Sequence, residues 1–258
     1  MRLVVLADNV AGRRCIAEHG LSFYIEADKK ILLDTGSSDL FMQNAQRLNI
    51  DVENVDAVVL SHGHDDHTGG LTYLNGLDVV AHSEVFMKRY RKRNKTPLHL
   101  PMSKEECSSR FNLTLSDKPL WLSEEIVFLG EIPRLNDFEA KETAFLDKEG
   151  NDDFVIDDSG IAVKTKKGLV VVSGCAHAGI CNMTEYAKEV TGMDDVYAVV
   201  GGFHLMGNDE LTSKTVDYFK QIGVEKVIPG HCTSFIAQQE IYQSFPFQQV
   251  KTGNTIVF

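Results

Sequence analysis

Short apolar runs separated by polar turns recur along the chain and alternate with segments of helical spacing. In the first third, Arg2–Ala7 and Leu21–Glu26 read as strands. Ala27–Lys30 supplies a polar turn before a short strand, Ile31–Leu33, which ends at Asp34-Thr35-Gly36. Leu40, Phe41, Ala45 and Leu48 then recur at helical spacing, with Ser37 or Ser38 placed to cap that helix. Asp56–Leu60 is an apolar strand that runs directly into Ser61-His62-Gly63-His64-Asp65-Asp66-His67-Thr68-Gly69-Gly70, and Leu77–Ala81 is another strand.

From about Ser83 to Thr143 the rhythm weakens, and this stretch reads as an excursion inserted into a single domain spanning 1–258, with a short helix and a few strands. Its basic run Lys88–Lys95 reads first as a solvated helix face and second as a patch that draws in an acidic substrate. Asp147–Asp158 reads as an acidic surface loop. A hairpin follows, Gly160–Thr165 and Leu169–Val172 around a Lys-Lys-Gly turn. The last third returns to helices at Thr184–Val190 and Leu211–Ile222, with strands at Val196–Val200 and Val224–Ile228. The class is α/β. Two similar halves allow a four-layer αββα sandwich, although periodicity leaves other α/β architectures open.

Charge and cysteine content narrow the functional classes. The net charge of −11 argues against general nucleic-acid binding, because phosphate backbones favour a basic footprint. No segment reaches the ~18 uninterrupted apolar residues of a membrane span. The apolar run at the start is too short for a secretory signal. Five cysteines, Cys15, Cys107, Cys175, Cys181 and Cys232, contain no CxxC pair and read as reduced thiols of a cytoplasmic protein. The expected partner is a small anionic molecule; oligomeric state is not legible.

Three imidazoles and two carboxylates within six positions need a cation to compensate their crowding. Imidazole with carboxylate suits Zn²⁺ first, then Mn²⁺ or Fe. The spacing lets His62 and His64 address one position, and Asp66 and His67 a second. Two divalent ions about 3.5–4 Å apart would then clamp a displacement at phosphorus or a carbonyl.

The motif His62-x-His64-x-Asp66-His67, with Asp34-Thr35-Gly36 upstream and Gly69-Gly70 after it, resembles the metallo-β-lactamase superfamily. The resemblance implies the αββα sandwich, a dinuclear site at one edge of the strands, and Asp34 as a support behind the ligand loop. His231 in Pro229-Gly230-His231 looks like the final histidine ligand, and His177 closes a strand in the same way; for either, the alternative to metal binding is a hydrogen-bonded turn histidine. Where the superfamily usually carries a bridging aspartate, this chain reads Ser173-Gly174-Cys175. Either Cys175 supplies a thiolate or it is an inert buried thiol and His177 provides the coordination. Cys181 and Cys232 read as core thiols. Asp8-Asn9, SGCAHAGICN and GGFHL extend the resemblance to a branch that contains 7,8-dihydropterin-6-yl-methyl-4-(β-D-ribofuranosyl)aminobenzene 5′-phosphate synthases.

These features lead to the expectation of a metal-dependent hydrolase acting on a small anionic, phosphate-containing substrate, pterin-linked compounds among them, through a metal-activated hydroxide. Asp66 would orient the nucleophile, and His204 would stabilise developing charge or protonate the leaving group. His19 is a weaker pocket candidate; His82 and His99 read as packing or surface residues. The alternatives are a synthase joining a pterin precursor to an aromatic amine, and an iron-dependent redox enzyme on the same scaffold.

Overall fold

A computed structural model describes all 258 residues. Two sheets dominate. The first has seven strands, in spatial order Thr255–Val257, Arg2–Ala7, Ser22–Glu26, Lys30–Leu33, Ala57–Val59, Asp78–Ala81 and Asn112–Leu115. The second has six: Lys226–Gly230, Val196–Gly202, Gly168–Ser173, Gly160–Thr165, Ile126–Phe128 and Leu120–Trp121. Alternation along each strand explains why they read as continuous apolar runs. In the first strand, Leu3 and Val5 enter the core between the sheets, while Val4 and Leu6 face the other way. The inter-sheet core joins Val5, Phe23 and Val59 to Phe128, Val172 and Val200. Helix Leu40–Arg47 covers the outer face of the first sheet, with Lys104–Arg110 beside it. Helices Ile180–Thr191, Glu210–Gln221 and Phe235–Ser244 cover the second. The result is a four-layer αββα sandwich. No helix is long and apolar enough to cross a membrane.

The stretch 83–143 contributes more to this frame than its weak periodicity suggests. Asn112–Leu115 pairs parallel to Asp78–Ala81 at the edge of the first sheet, and Leu120–Trp121 and Ile126–Phe128 extend the second. An edge strand with one polar face, and strands of two or three residues, leave little apolar signal. The basic run is not a helix face. Arg89–Arg91 forms a strand in a third, small sheet with Phe145–Asp147 and Asp152–Asp153. The acidic stretch is not a surface loop either, because Asp153, Asp157 and Asp158 are buried. Arg89 explains both corrections. Its side chain is fully buried and donates to Asp153 at 2.7 Å and to both oxygens of Asp157 at 2.8 and 3.0 Å. Helix Leu40–Arg47 starts after Asp39 rather than at either serine, although the Ser38 hydroxyl accepts the Leu40 N–H at 3.2 Å.

Candidate metal centre

Lys30–Leu33 and Ala57–Val59 run parallel in the first sheet, as do Gly168–Ser173, Val196–Gly202 and Lys226–Gly230 in the second, and the C-terminal ends of these strands meet at one edge of the sandwich. Ligands in open α/β folds gather at such ends. Here they deliver Asp34, the loop His62–His67, Cys175 and His177, His204 and His231. Three of these, Asp34, His204 and His231, hold left-handed backbone with φ of 58°, 50° and 44°. Non-glycine residues rarely adopt that conformation, and it concentrates where surrounding contacts over-determine a functional loop.

Asp34 is the keystone of the first loop. Its buried carboxylate accepts the Ser61 backbone N–H, the Ser61 hydroxyl and His67 Nδ1–H, each at 2.7 Å. Ser61 Oγ also lies 2.9 Å from His62 Nδ1. With Nδ1 of His67 committed to a carboxylate, Nε2 is turned into the site, which is how a supporting carboxylate orients a ligand. Gly174 makes this approach possible: a Cβ there would lie 2.0 Å from Ser61 Oγ and 2.9 Å from Asp34.

Two triads of donor atoms lie at the centre, His62 with His64 and His177, and Asp66 with His67 and His231. Cys175 joins them, grouped once with His62 and His67 and once with His231 and Cys232; within each group the donor atoms lie within 4.8 Å of one another. His62 Nε2 is 3.0 Å from His64 Nδ1, and His67 Nε2 is 3.1 Å from His231 Nε2 and 3.2 Å from Cys175 Sγ. Asp66 Oδ2 lies 3.2 Å from His19 Nε2 and 3.5 Å from His231 Nε2. Buried nitrogens His64 Nε2 and His177 Nε2 have no hydrogen-bond partner at all.

The electrostatics of this crowd follow from burial and mutual repulsion. Burial, reinforced by neighbouring imidazoles, holds His62 and His177 well below the usual histidine range, and burial does the same to His64. Burial also lowers His231, and takes His204 down to about 4. His67 goes the other way: burial would lower it, but the carboxylates of Asp34 and Asp66 outweigh that and raise it to about 9. Asp66 stays well below its ordinary value, because His67, His19 and His231 outweigh the burial penalty. Neutral imidazoles, an ionised carboxylate and orphaned buried nitrogens together form a donor set that fits a divalent cation. A proton held on His67 would be displaced by such an ion.

Comparison with known proteins places this site in a lineage. The profile of the metallo-β-lactamase superfamily matches residues 16–84. The whole chain aligns with the 7,8-dihydropterin-6-methyl-4-(β-D-ribofuranosyl)-aminobenzene-5′-phosphate synthase of Methanocaldococcus jannaschii at 35% identity, covering 97% of that protein. The chain belongs to the metallo-β-lactamase superfamily. An uncharacterized protein of the same archaeon is 33% identical over 98% of both chains. The crystal structure of Tm1679, described as a metal-dependent hydrolase of the β-lactamase superfamily, superposes with a TM-score of 0.89 at 30% identity, covering 100% of this chain and 99% of that one. The αββα fold expected from the resemblance is therefore the observed one.

The thiol of Cys175, which the resemblance set in the place of a bridging aspartate, stands among the donors. Burial pushes that thiol well above its ordinary pKa. Cys232, read from sequence as a core thiol, is only half-buried and belongs to one donor group; its Sγ accepts the His204 N–H at 3.3 Å. Cys181 is buried in the first turn of helix Ile180–Thr191 and belongs to none of the donor groups. His204 packs on His177 with ring centroids 4.4 Å apart, and His19 stands over His231 at 5.5 Å. Both line a cavity of about 250 Å³ above the donors, together with Phe145. His82 is buried away from the site and accepts the Glu84 N–H.

Sequence reasoning quoted Asp8-Asn9 only among the segments of the resemblance and gave the pair no role in the site. Asp8 accepts the His231 N–H at 3.0 Å, and Asn9 Oδ1 lies 3.1 Å from His231 Nδ1, so the first strand's end fixes the last histidine. Their adjacency in the sequence was visible; their target, 223 and 222 residues away, was not.

Proposed function

We propose that the chain is a metal-dependent hydrolase of a small, phosphate-containing anionic substrate, with two divalent ions, zinc first among them, held by His62, His64 and His177 and by Asp66, His67 and His231. The observation that carries this reading is the pair of donor triads at the floor of a small cavity. When bound there, divalent ions supply Lewis acidity at a substrate oxygen and lower the pKa of water. The chain's own residues do the rest. Asp34 sets the tautomer of His67, and Asn9 that of His231. Asp66, kept ionised, can accept a proton from the attacking water. His204 is neutral near pH 7 and offers one N–H to the charge that develops on the substrate. Phe145, Met206 and Leu98 give the cavity an apolar side. Unpaired thiols throughout suit a cytoplasmic address.

A second reading, a synthase that joins a pterin precursor to an aromatic amine, is supported by the full-length similarity to the archaeal synthase and by the aromatic face of Phe145, whose ring centroid lies 4.6 Å from that of His64. Turnover of metal-loaded protein with phosphodiesters, phosphomonoesters and a pterin diphosphate, each with and without an arylamine, tests both. Release of phosphate without amine supports hydrolysis. Amine-dependent product with no hydrolysis moves the synthase to the front.

A further inference from the structure

We propose that Arg91 is the residue that recognises the substrate's phosphate, presented over the metal centre by the small third sheet. This rests on the phosphate-containing substrate proposed above and assigns a residue to its recognition. Two arginines stand two positions apart on strand Arg89–Arg91 and are used in opposite ways. Arg89 is sequestered by Asp153 and Asp157. Arg91 is exposed, lines the cavity with His64, Asp66, His177 and His204, and has no carboxylate within ion-pair distance and no side-chain hydrogen bond. It is the sole arginine or lysine lining that cavity, and Asp66, already engaged by His19 and His231, is its sole carboxylate.

The presentation is rigid. Arg91 lies directly opposite Phe145 in the antiparallel register, so both side chains leave the sheet on one face, and both reach the cavity. The Arg91 N–H donates to Thr96 at 2.9 Å and its carbonyl accepts Lys95 N–H at 2.9 Å, closing a tight hairpin. Asp157, clamped by Arg89, accepts the Gly63 N–H of the ligand loop at 2.8 Å. One buried ion pair thus ties the sheet that carries Arg91 to the loop that carries His62 and His64. A free guanidinium above a metal site matches the planar, two-point geometry by which arginine binds phosphate, which lysine does not reproduce.

The test uses inorganic phosphate as probe, with metal-loaded wild type, Arg91→Ala and Arg91→Lys, at fixed ionic strength. Calorimetric Kd for phosphate is measured beside KM and kcat for a phosphodiester and for an uncharged lactone. Because Arg91 is exposed and unpaired, metal content and circular dichroism serve as folding controls. Arg91→Ala should weaken phosphate binding and raise the phosphodiester KM by about 10- to 100-fold, with Arg91→Lys recovering only part and lactone KM unchanged. Wild-type phosphate affinity in Arg91→Ala, equal losses for lactone and phosphodiester, or no phosphate binding by wild type would overturn the assignment. If no ester turns over but Arg91→Ala still loses phosphate affinity, the hydrolase reading fails and the recognition residue stands.

Discussion

Asp34→Asn isolates the electrostatic role of the ligand-loop support. Asparagine keeps the shape and tolerates the left-handed backbone that Asp34 adopts at φ 58°, so alanine-type strain is avoided. What changes is charge. An amide has one acceptor oxygen, so it keeps, weakened, either the Ser61 N–H bond or the bonds from the Ser61 hydroxyl and His67, while its NH2 faces the remaining donor. A buried donor left unpaired costs roughly 1–3 kcal/mol, giving about 3 kcal/mol lost from the metal-free protein with the weakened bonds included. In addition, if the amide nitrogen faces His67, its donors meet the Nδ1–H and turn the ring from its ligating pose. Supporting residues of this kind typically contribute 10- to 100-fold to metal affinity. Urea unfolding of metal-free protein gives the first quantity, and competition with a chelator of known affinity gives the second. A variant that unfolds within about 0.5 kcal/mol of wild type and holds metal within twofold would refute the reasoning.

Metal-free protein should be most stable near neutrality, by urea midpoints across pH. His67 is raised from 6.5 to about 9 by Asp34 and Asp66 acting against burial, so its contribution is full below 6.5 and is lost as pH rises through 9, about 3 kcal/mol in all. Burial lowers His62, His64, His177, His204 and His231, so the unfolded chain takes up protons first and stability falls below pH 6.5. Asp158, raised by burial to about 7, and Asp8, to about 6, offset part of that fall. A profile flat from pH 5 to 9 would contradict this. Gly174→Ala should cost about 1–3 kcal/mol and weaken metal binding, since its methyl group meets Ser61 at the contact that supports His62; thermal melts with and without metal check it. Arg89→Leu should cost roughly 3–5 kcal/mol by leaving two buried carboxylates unpaired, read as a lower urea midpoint.

What the sequence displayed well was whatever is local. The loop His62–His67 concentrates its donors in six positions behind an apolar strand, and His177, His204 and His231 each follow such a strand. The strands were legible for a related reason, since parallel strands buried on both faces read as unbroken apolar runs, whereas the αββα layer order came from the family resemblance and not from periodicity. The small sheet was not legible, because the partners that bury Arg89 lie 64 and 68 residues away and the run around it looks solvated in isolation. Nor does any local pattern show that Asp157, inside an acidic stretch, reaches Gly63, or that Asp34, His204 and His231 share a left-handed backbone. Asp8 and Asn9 belong to the same class of long-range support.

The central claim is that the two donor triads hold metal, and elemental analysis tests it most directly. Wild-type protein purified without added metal is compared with His62→Ala and His67→Ala, each checked for native circular dichroism. The account predicts about two equivalents of a divalent transition metal in wild type and a loss of at least one in each variant. Variants that fold and retain the full wild-type complement would contradict it.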